Sequence, residues 1–111
     1  MKPLELARAY MDVVFAGSNM DALNQLLADE FTFKGPFDEF DSPKSYIQSL
    51  QSDPPQGFEY EMIRSFETES CACLVYQFSK PGVSVPMAQI FEISNGKISK
   101  ILLIFDTRSF T

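Results

Sequence analysis

The stretch VPMAQIFEISNGKISKILLIF, residues 85–105, predicts two long strands joined by a tight turn at Asn95-Gly96. The first strand alternates between apolar and polar side chains, whereas the second is apolar on both faces. A strand that is apolar on both faces needs two covers, one from its own domain and one from another body. A second copy of the chain is the candidate for the second cover, so the stretch predicts a homodimer as well as a sheet.

Outward from this pair, the chain predicts helices first and strands second. Pro3 suits the first turn of a helix that ends at Gly17, and a shorter helix starts at Ser18 or Asn19 and ends before Asp29. Further predicted elements are a short strand at 31–33, a helix that begins at Ser42-Pro43 and ends at Pro54-Pro55, and strands at 58–62 and 71–78. This order predicts an α+β fold in a single domain over residues 1–111, with three helices packed on one face of a curved sheet.

The loop at 94–96 decides which residues of the last strand face the helices. A three-residue loop and a two-residue Asn-Gly turn give opposite answers. The former places Ile101, Leu103 and Phe105 on the helix side, and the latter places Leu102 and Ile104 there. We prefer the three-residue loop, because it leaves Leu102 and Ile104 on the outer face, where an apolar surface suits a dimer.

The preceding loop bears on Gln89. A four-residue loop at 79–82 places Phe78 opposite Val83, and Gln89 then faces the helices as a polar side chain in an apolar wall. Burying an unpartnered amide costs about 1–3 kcal/mol. We therefore expect Gln89 to meet Tyr10, water or a ligand.

Composition and charge exclude several classes of function. The chain is 45% hydrophobic and 14% aromatic, which is too apolar for disorder. Its net charge of −6 repels phosphate backbones and anionic membrane surfaces, so we expect neither nucleic acid nor a membrane as partner. Charges at Glu5, Arg8 and Asp12 favour an amphipathic helix over an export signal. No apolar run approaches the ~20 residues that span a bilayer, and we expect a cytoplasmic protein.

Cysteine and histidine usage narrows the chemistry further. Cys71 and Cys73 lie two residues apart in a predicted strand, so they point to the same side and do not easily bridge each other. With no second pair and no histidine in the chain, we expect buried structural thiols and predict neither a metal nor a cofactor. The lack of histidine also removes the commonest general base and the usual catalytic triads.

The layout resembles the NTF2-like superfamily, and within it the SnoaL-like and ketosteroid-isomerase-like proteins. The resemblance covers nearly the whole chain and is carried by ARAYM at 7–11, LADEFTF at 27–33, GPF at 35–37 and FEISNGKI at 91–98. It implies a cone-shaped fold with three N-terminal helices in the concavity of a strongly curved antiparallel sheet. It also implies an internal pocket for a small molecule and a homodimer through the outer face of the sheet.

The same resemblance points to catalytic positions, but the match is incomplete. In ketosteroid isomerases a tyrosine on the first helix donates a hydrogen bond to the developing enolate, a protonated aspartate on a late strand assists it, and an aspartate before a Pro-Phe pair moves the proton. Tyr10 matches the tyrosine, whereas Gln89 stands for the assisting acid and Gly35 for the base. Glutamine is no proton shuttle and glycine has no side chain, which argues against an intact ketosteroid isomerase. Asp38, at the cone mouth, is the remaining candidate base.

Two hypotheses follow. The first is a pocket for a small, largely apolar molecule, with cofactor-independent proton transfer or hydration as the chemistry it could support and Tyr10 and Gln89 as hydrogen-bond donors. The predicted lining is Phe33, Tyr60, Met62, Leu74, Tyr76, Met87, Leu103 and Phe105. The second is a non-catalytic dimerisation or protein-binding module with Leu102 and Ile104 in its interface. A cavity of several hundred Å³ would favour the first hypothesis and a filled core the second.

Overall fold

The predicted helices and strands follow in the predicted order, and a two-residue strand at 39–40, which was not predicted, completes a sheet of six strands. The computed structural model describes residues 1–110. Its elements are α1 (Pro3–Ala16), a first 3₁₀-helix (Met20–Gln25), β1 (Leu27–Lys34), β2 (Glu39–Phe40), α2 (Pro43–Ser52), β3 (Glu59–Glu67), β4 (Cys71–Lys80), β5 (Val83–Ser94), β6 (Lys97–Phe105) and a second 3₁₀-helix (Thr107–Phe110). The strand order is β2-β1-β6-β5-β4-β3, in which β3 to β6 form an antiparallel meander and β1 runs parallel to β6. The predicted α+β fold class is confirmed.

The helices begin and end largely where the sequence predicts. Gly17 closes α1 in the left-handed conformation, with φ of 70°, and donates its N–H to Val13 O. The second helix is shorter than predicted, because Leu27 already belongs to β1. Ile98 N–H donates to Leu26 O at 2.8 Å, so pairing with β6 prevails over continuation of the helix.

The third helix, α2, starts at a capped serine. Ser42 Oγ accepts a hydrogen bond from Ser45 N–H at 3.1 Å, and Pro43 occupies the first helical position. The helix buries Tyr46 and Ile47 against the body of the fold. Its start therefore fixes where Tyr46 enters the interior.

The loop between β4 and β5 is shorter than predicted. Lys80 pairs with Val83, so the turn contains only Pro81 and Gly82, and Phe78 lies opposite Val85 instead of Val83. The prediction of a four-residue loop was therefore wrong. A shift of two residues preserves the face of every side chain, and Gln89 still points toward the helices.

The last turn also differs from the prediction, and a bulge compensates for it. Ser94 pairs with Lys97 across a two-residue turn, in which Asn95 and Gly96 have φ of 52° and 76°. The prediction of a three-residue loop was wrong. However, Glu92 pairs with Lys100 whereas Ile93 pairs with Ile98, so Ser99 is an extra residue that reverses the parity. Ile101, Leu103 and Phe105 consequently face the helices, as the predicted register required.

The core lies between α1, α2 and the inner face of the sheet. Its largest fully buried side chains include Phe31, Phe91, Met11, Leu23 and Ile101. Buried residues on β4 and β5 recur at every second position, which is the pattern of a sheet covered on one face. None of the helices within residues 1–110 is both long and apolar enough to cross a membrane.

Replacing Ser42 by alanine should lower the free energy of unfolding by about 1 kcal/mol, because α2 loses the cap that Ser45 N–H uses. Ser18→Ala is the matched control, since Ser18 is exposed and its hydroxyl makes no hydrogen bond to any described residue. That change should cost less than about 0.5 kcal/mol. Urea denaturation followed by circular dichroism measures both values, and equal losses would contradict the role of the cap.

Candidate functional site

A cavity of about 420 Å³ lies between the helices and the concave face of the sheet. The lining includes Tyr10, Gln89 and Asp38 and, among the predicted wall residues, Phe33, Tyr76, Met87, Leu103 and Phe105. Most other lining side chains are apolar or aromatic, such as Phe15, Phe40 and Leu50. The structure thus brings the three predicted catalytic candidates to one cavity.

Three predicted wall residues, Tyr60, Met62 and Leu74, do not line the cavity. Tyr60 packs edge-on against Phe15 of α1, with ring centroids 4.7 Å apart. Met62, on β3, lies opposite Tyr76 of β4, and Leu74 is fully buried. All three lie on the inner face of the sheet as predicted, but they pack outside the cavity.

Four buried polar side chains form the floor of the cavity. Tyr10 and Tyr46 share a hydrogen bond between their hydroxyl groups, and Tyr76 donates its hydroxyl to Gln89 Oε1 at 2.7 Å. Gln89 is also hydrogen-bonded to the Tyr10 hydroxyl. Each of the four is between 2% and 4% exposed. The polar floor is therefore one connected network, with Gln89 between Tyr76 and Tyr10.

Each member of this network comes from a different element. Tyr10 lies on α1, Tyr46 on α2, Tyr76 on β4 and Gln89 on β5. Tyr10 packs edge-on against Phe91, with ring centroids 5.3 Å apart, and Tyr46 stacks on Phe33 at 4.8 Å. Aromatic packing on both sides therefore holds the two hydroxyl groups in place.

Tyr46 is a floor residue that was not among the functional candidates predicted from the sequence. It lies on the apolar face of α2 beside Ile47, where a tyrosine looks like ordinary packing. Only the tertiary structure brings its hydroxyl to Tyr10, 36 residues earlier in the chain. The one indication in the sequence is that a buried tyrosine needs a hydrogen-bond partner for its hydroxyl group.

Burial keeps the floor tyrosines protonated. Desolvation raises the pKa of Tyr10 to about 12, although its hydrogen bonds to Tyr46 and Gln89 act in the opposite direction. Desolvation likewise raises the pKa of Tyr46 and of Tyr76 well above that of free tyrosine. At neutral pH these phenols are hydrogen-bond donors and not bases.

The floor contains more donor hydrogens than its internal hydrogen bonds use. Three tyrosines supply one hydrogen each and the Gln89 amide supplies two, whereas three hydrogen bonds connect the four side chains. One hydroxyl hydrogen of the Tyr10 and Tyr46 pair and one amide hydrogen are left without an acceptor among residues 1–110. Every buried polar atom still has a partner within those residues. The floor is therefore stable by itself and can also donate to an oxygen in the cavity.

The candidate base lies elsewhere in the cavity. Asp38 is exposed at the mouth, where its backbone oxygen accepts a hydrogen bond from Gly35 N–H at 2.9 Å. At Gly35, a Cβ would lie 3.2 Å from the Phe33 ring and 3.7 Å from Leu103 Cβ. The ring of Phe33 thus fills the space next to position 35. Among residues 1–110, the only carboxylates on the cavity lining are those of Asp38 and Asp53, and both are exposed.

Leu102 and Ile104 lie on the outer face of the sheet. Leu102 pairs with Ile90 and Ile104 with Ala88, and Ile104 is 47% exposed. Phe66, opposite Cys73 on the same face, is 57% exposed. A band of apolar side chains therefore crosses the outer face from β3 to β6, through Phe66, Cys73, Ile90 and Leu102.

The family follows from the whole chain and not from the site alone. A family model described as a SnoaL-like domain matches residues 7–101. The chain belongs to the SnoaL-like domain family. No curated protein matches it. Its cone-shaped, NTF2-like architecture, which the sequence resemblance implied, is confirmed by the solved structures that it resembles.

Three of these structures show how widely the fold is used. An NTF2-like protein of unknown function from Cytophaga hutchinsonii is 21% identical, with a TM-score of 0.84 over 99% of this chain and 95% of that one. An LEH-like epoxide hydrolase from M. tuberculosis is 15% identical, with a TM-score of 0.78 over 95% and 83%. A candidate SnoaL-like polyketide cyclase from Shewanella putrefaciens is 16% identical, with a TM-score of 0.80 over 97% and 82%. At such identities the likeness establishes the fold and not the reaction.

Stability should fall once the pH exceeds about 10. The folded protein holds the Tyr10 proton up to about pH 12, whereas the unfolded chain releases it near 10. The folded state therefore binds more protons in this window. The stabilisation that Tyr10 contributes is fully present below the pKa it has in the unfolded chain, and it is lost as the pH rises through the pKa it has in the folded protein. The loss is about 1.4 kcal/mol per pH unit for each such tyrosine.

Urea denaturation at neutral pH and at several pH values above 10 measures this slope. Tyr10→Phe should make it shallower. Tyr60→Phe is the control, since Tyr60 is only partly buried, and should change the slope less. Equal slopes for the wild type and Tyr10→Phe would contradict the assignment.

Proposed function

We propose that this protein binds a small, largely apolar molecule in the cone cavity and holds one acceptor oxygen of that molecule on the Tyr10 and Gln89 floor. The observation that supports this proposal is the surplus of donor hydrogens at the closed end of an apolar cavity. A carbonyl, ether or epoxide oxygen accepts hydrogen bonds without needing to donate one. Such an oxygen can accept the hydrogen bonds that the floor has left to donate.

The size of the cavity favours ligand binding over a module with a filled core. About 420 Å³ lies within the range of pockets that enclose small molecules. The aromatic and aliphatic walls supply the apolar contact, and the floor supplies orientation. This division is typical of small-molecule sites.

The same donors could assist a reaction in which negative charge develops on the held oxygen. Enolisation of a ketone and ring opening of an epoxide are both of this kind, and preorganised donors stabilise the charge in a water-poor site. The proton would have to be taken by a group outside the floor, since no floor side chain is a base. Asp38 at the mouth is our candidate for that role.

A pair of matched probes tests the binding proposal. Para-acetylbiphenyl carries one ketone oxygen, and para-ethylbiphenyl has a similar shape without an acceptor. The ketone should bind about fivefold more tightly, which corresponds to about 1 kcal/mol for one net hydrogen bond. In the Tyr10→Phe, Gln89→Leu double variant that ratio should fall toward one. Dissociation constants come from nuclear magnetic resonance titrations.

Tyr60→Phe is the control, because it removes a tyrosine hydroxyl that lies outside the cavity. It should leave the ratio unchanged, and circular dichroism shows that each variant is folded. A ratio that survives in the folded double variant would contradict the role of the floor. Failure of both probes to bind the wild type would contradict the proposal as a whole.

We further propose that the outer face of the sheet forms a homodimer. Leu102 and Ile104 provide an apolar patch, and Lys100 and Glu92 lie beside it as an ion pair at 3.9 Å. Opposite charges at neighbouring positions are self-complementary under a twofold rotation, since each can meet its counterpart on the second copy. Phe66 and Ile104, which are 57% and 47% exposed, supply apolar surface that such a contact would cover.

Leu102→Lys with Ile104→Lys should give a monomer, because two ammonium groups would have to be buried in the contact. Leu102→Val with Ile104→Val is the control, since it keeps the patch apolar, and should remain dimeric. Sedimentation velocity measures both. An unaltered dimer in the lysine variant, or a monomeric wild type, would overturn this interface.

A further inference from the structure

The mouth of the cavity contains a lysine, Lys80, that forms no ion pair with any residue between 1 and 110. Lys80 is half-buried at the end of β4, and its ammonium lies 5.6 Å from the Phe58 ring centroid and 5.2 Å from that of Phe110. It forms no ion pair with any residue of the described chain. Lys80, Phe58 and Phe110 all line the cavity. Aromatic rings therefore shield part of this ammonium from water, and none of the described carboxylates forms an ion pair with it.

Lys80 and the floor lie on the same face of one strand. Tyr76, Phe78 and Lys80 alternate with outward-facing residues of β4, so all three point into the cone. At about 3.3 Å per residue, Tyr76 and Lys80 are separated by about 13 Å along the strand. The cavity thus has donors for an oxygen at its closed end and a cation at its mouth.

We propose that the ligand of this cavity is an amphipathic carboxylate, with an acceptor oxygen on the floor, an apolar body between, and its carboxylate on Lys80. This inference rests on the proposed function and adds the chemical class of the ligand. The two rings that flank the ammonium exclude water from the ion pair, which strengthens a charge-assisted hydrogen bond.

The rim also limits the charge of that anion. Asp38 and Asp53 line the mouth as well, and both are exposed. A dianion such as a phosphate monoester would meet more repulsion from these carboxylates than one ammonium could offset. The rim therefore favours a ligand with one negative charge over a ligand with two.

The test compares para-acetylbiphenyl with the same ketone bearing a carboxylate at the far para position. The acid should bind the wild type about fivefold more tightly, and the gain should shrink as salt is added. Lys80→Met should abolish the gain, and Lys80→Arg should retain it. Lys44→Met is the matched control, because it removes the same charge from an exposed lysine of α2 that does not line the cavity. Asp53→Asn should increase the gain.

The outcomes separate this inference from the proposed function. If the acid binds no better than the ketone while the ketone still binds better than para-ethylbiphenyl, the role of Lys80 is refuted and the floor stands. If Lys44→Met reduces the gain as much as Lys80→Met, overall charge explains it and the inference is overturned. If neither the ketone nor para-ethylbiphenyl binds, the proposed function itself fails.

Discussion

The need to satisfy the buried amide of Gln89 connects the sheet to both long helices. An amide at 3% exposure costs free energy unless its oxygen and nitrogen find partners. Its oxygen is satisfied by Tyr76 from the neighbouring strand, and Tyr10 and Tyr46 extend the network to α1 and α2. Each helix must therefore dock at a depth that brings its tyrosine hydroxyl to the network. The cavity is what remains of the cone above these four side chains.

Much of this arrangement was predictable because local chemistry and tertiary structure agree. Ser42-Pro43 predicts a helix start, and Gly17 predicts a helix end, from residues within one turn. The turn before β6 was harder to predict. A three-residue loop, and a two-residue turn followed by an extra residue at Ser99, place the side chains of β6 on the same faces. Hydrophobic alternation records the face of a residue but not the place where the extra residue is accommodated.

The sequence did not predict the roles of residues that come together only in the folded protein. Tyr46 looks like packing on its own helix, and Lys80 looks like part of a turn before Pro81 and Gly82. Their roles depend on distances between elements, namely α2 to α1 for Tyr46 and the end of β4 to the aromatic mouth for Lys80. Conversely, Tyr60 and Leu74 have the correct parity for the cavity but lie outside it, Tyr60 partly buried against Phe15 and Leu74 fully buried in the core.

The floor differs in kind from an acid and base pair, and this difference constrains what the site can do. A carboxylate beside Tyr10 would bring a charge that must be desolvated, whereas Gln89 satisfies the tyrosines without one. The neutral network needs no further partner, because its members are already hydrogen-bonded to one another. It also means that the floor can polarise an oxygen but cannot carry a proton away. Under the proposed function, the floor would orient the ligand and stabilise charge on its oxygen, and a group that exchanges protons would have to come from the mouth, where Asp38 and Asp53 are exposed.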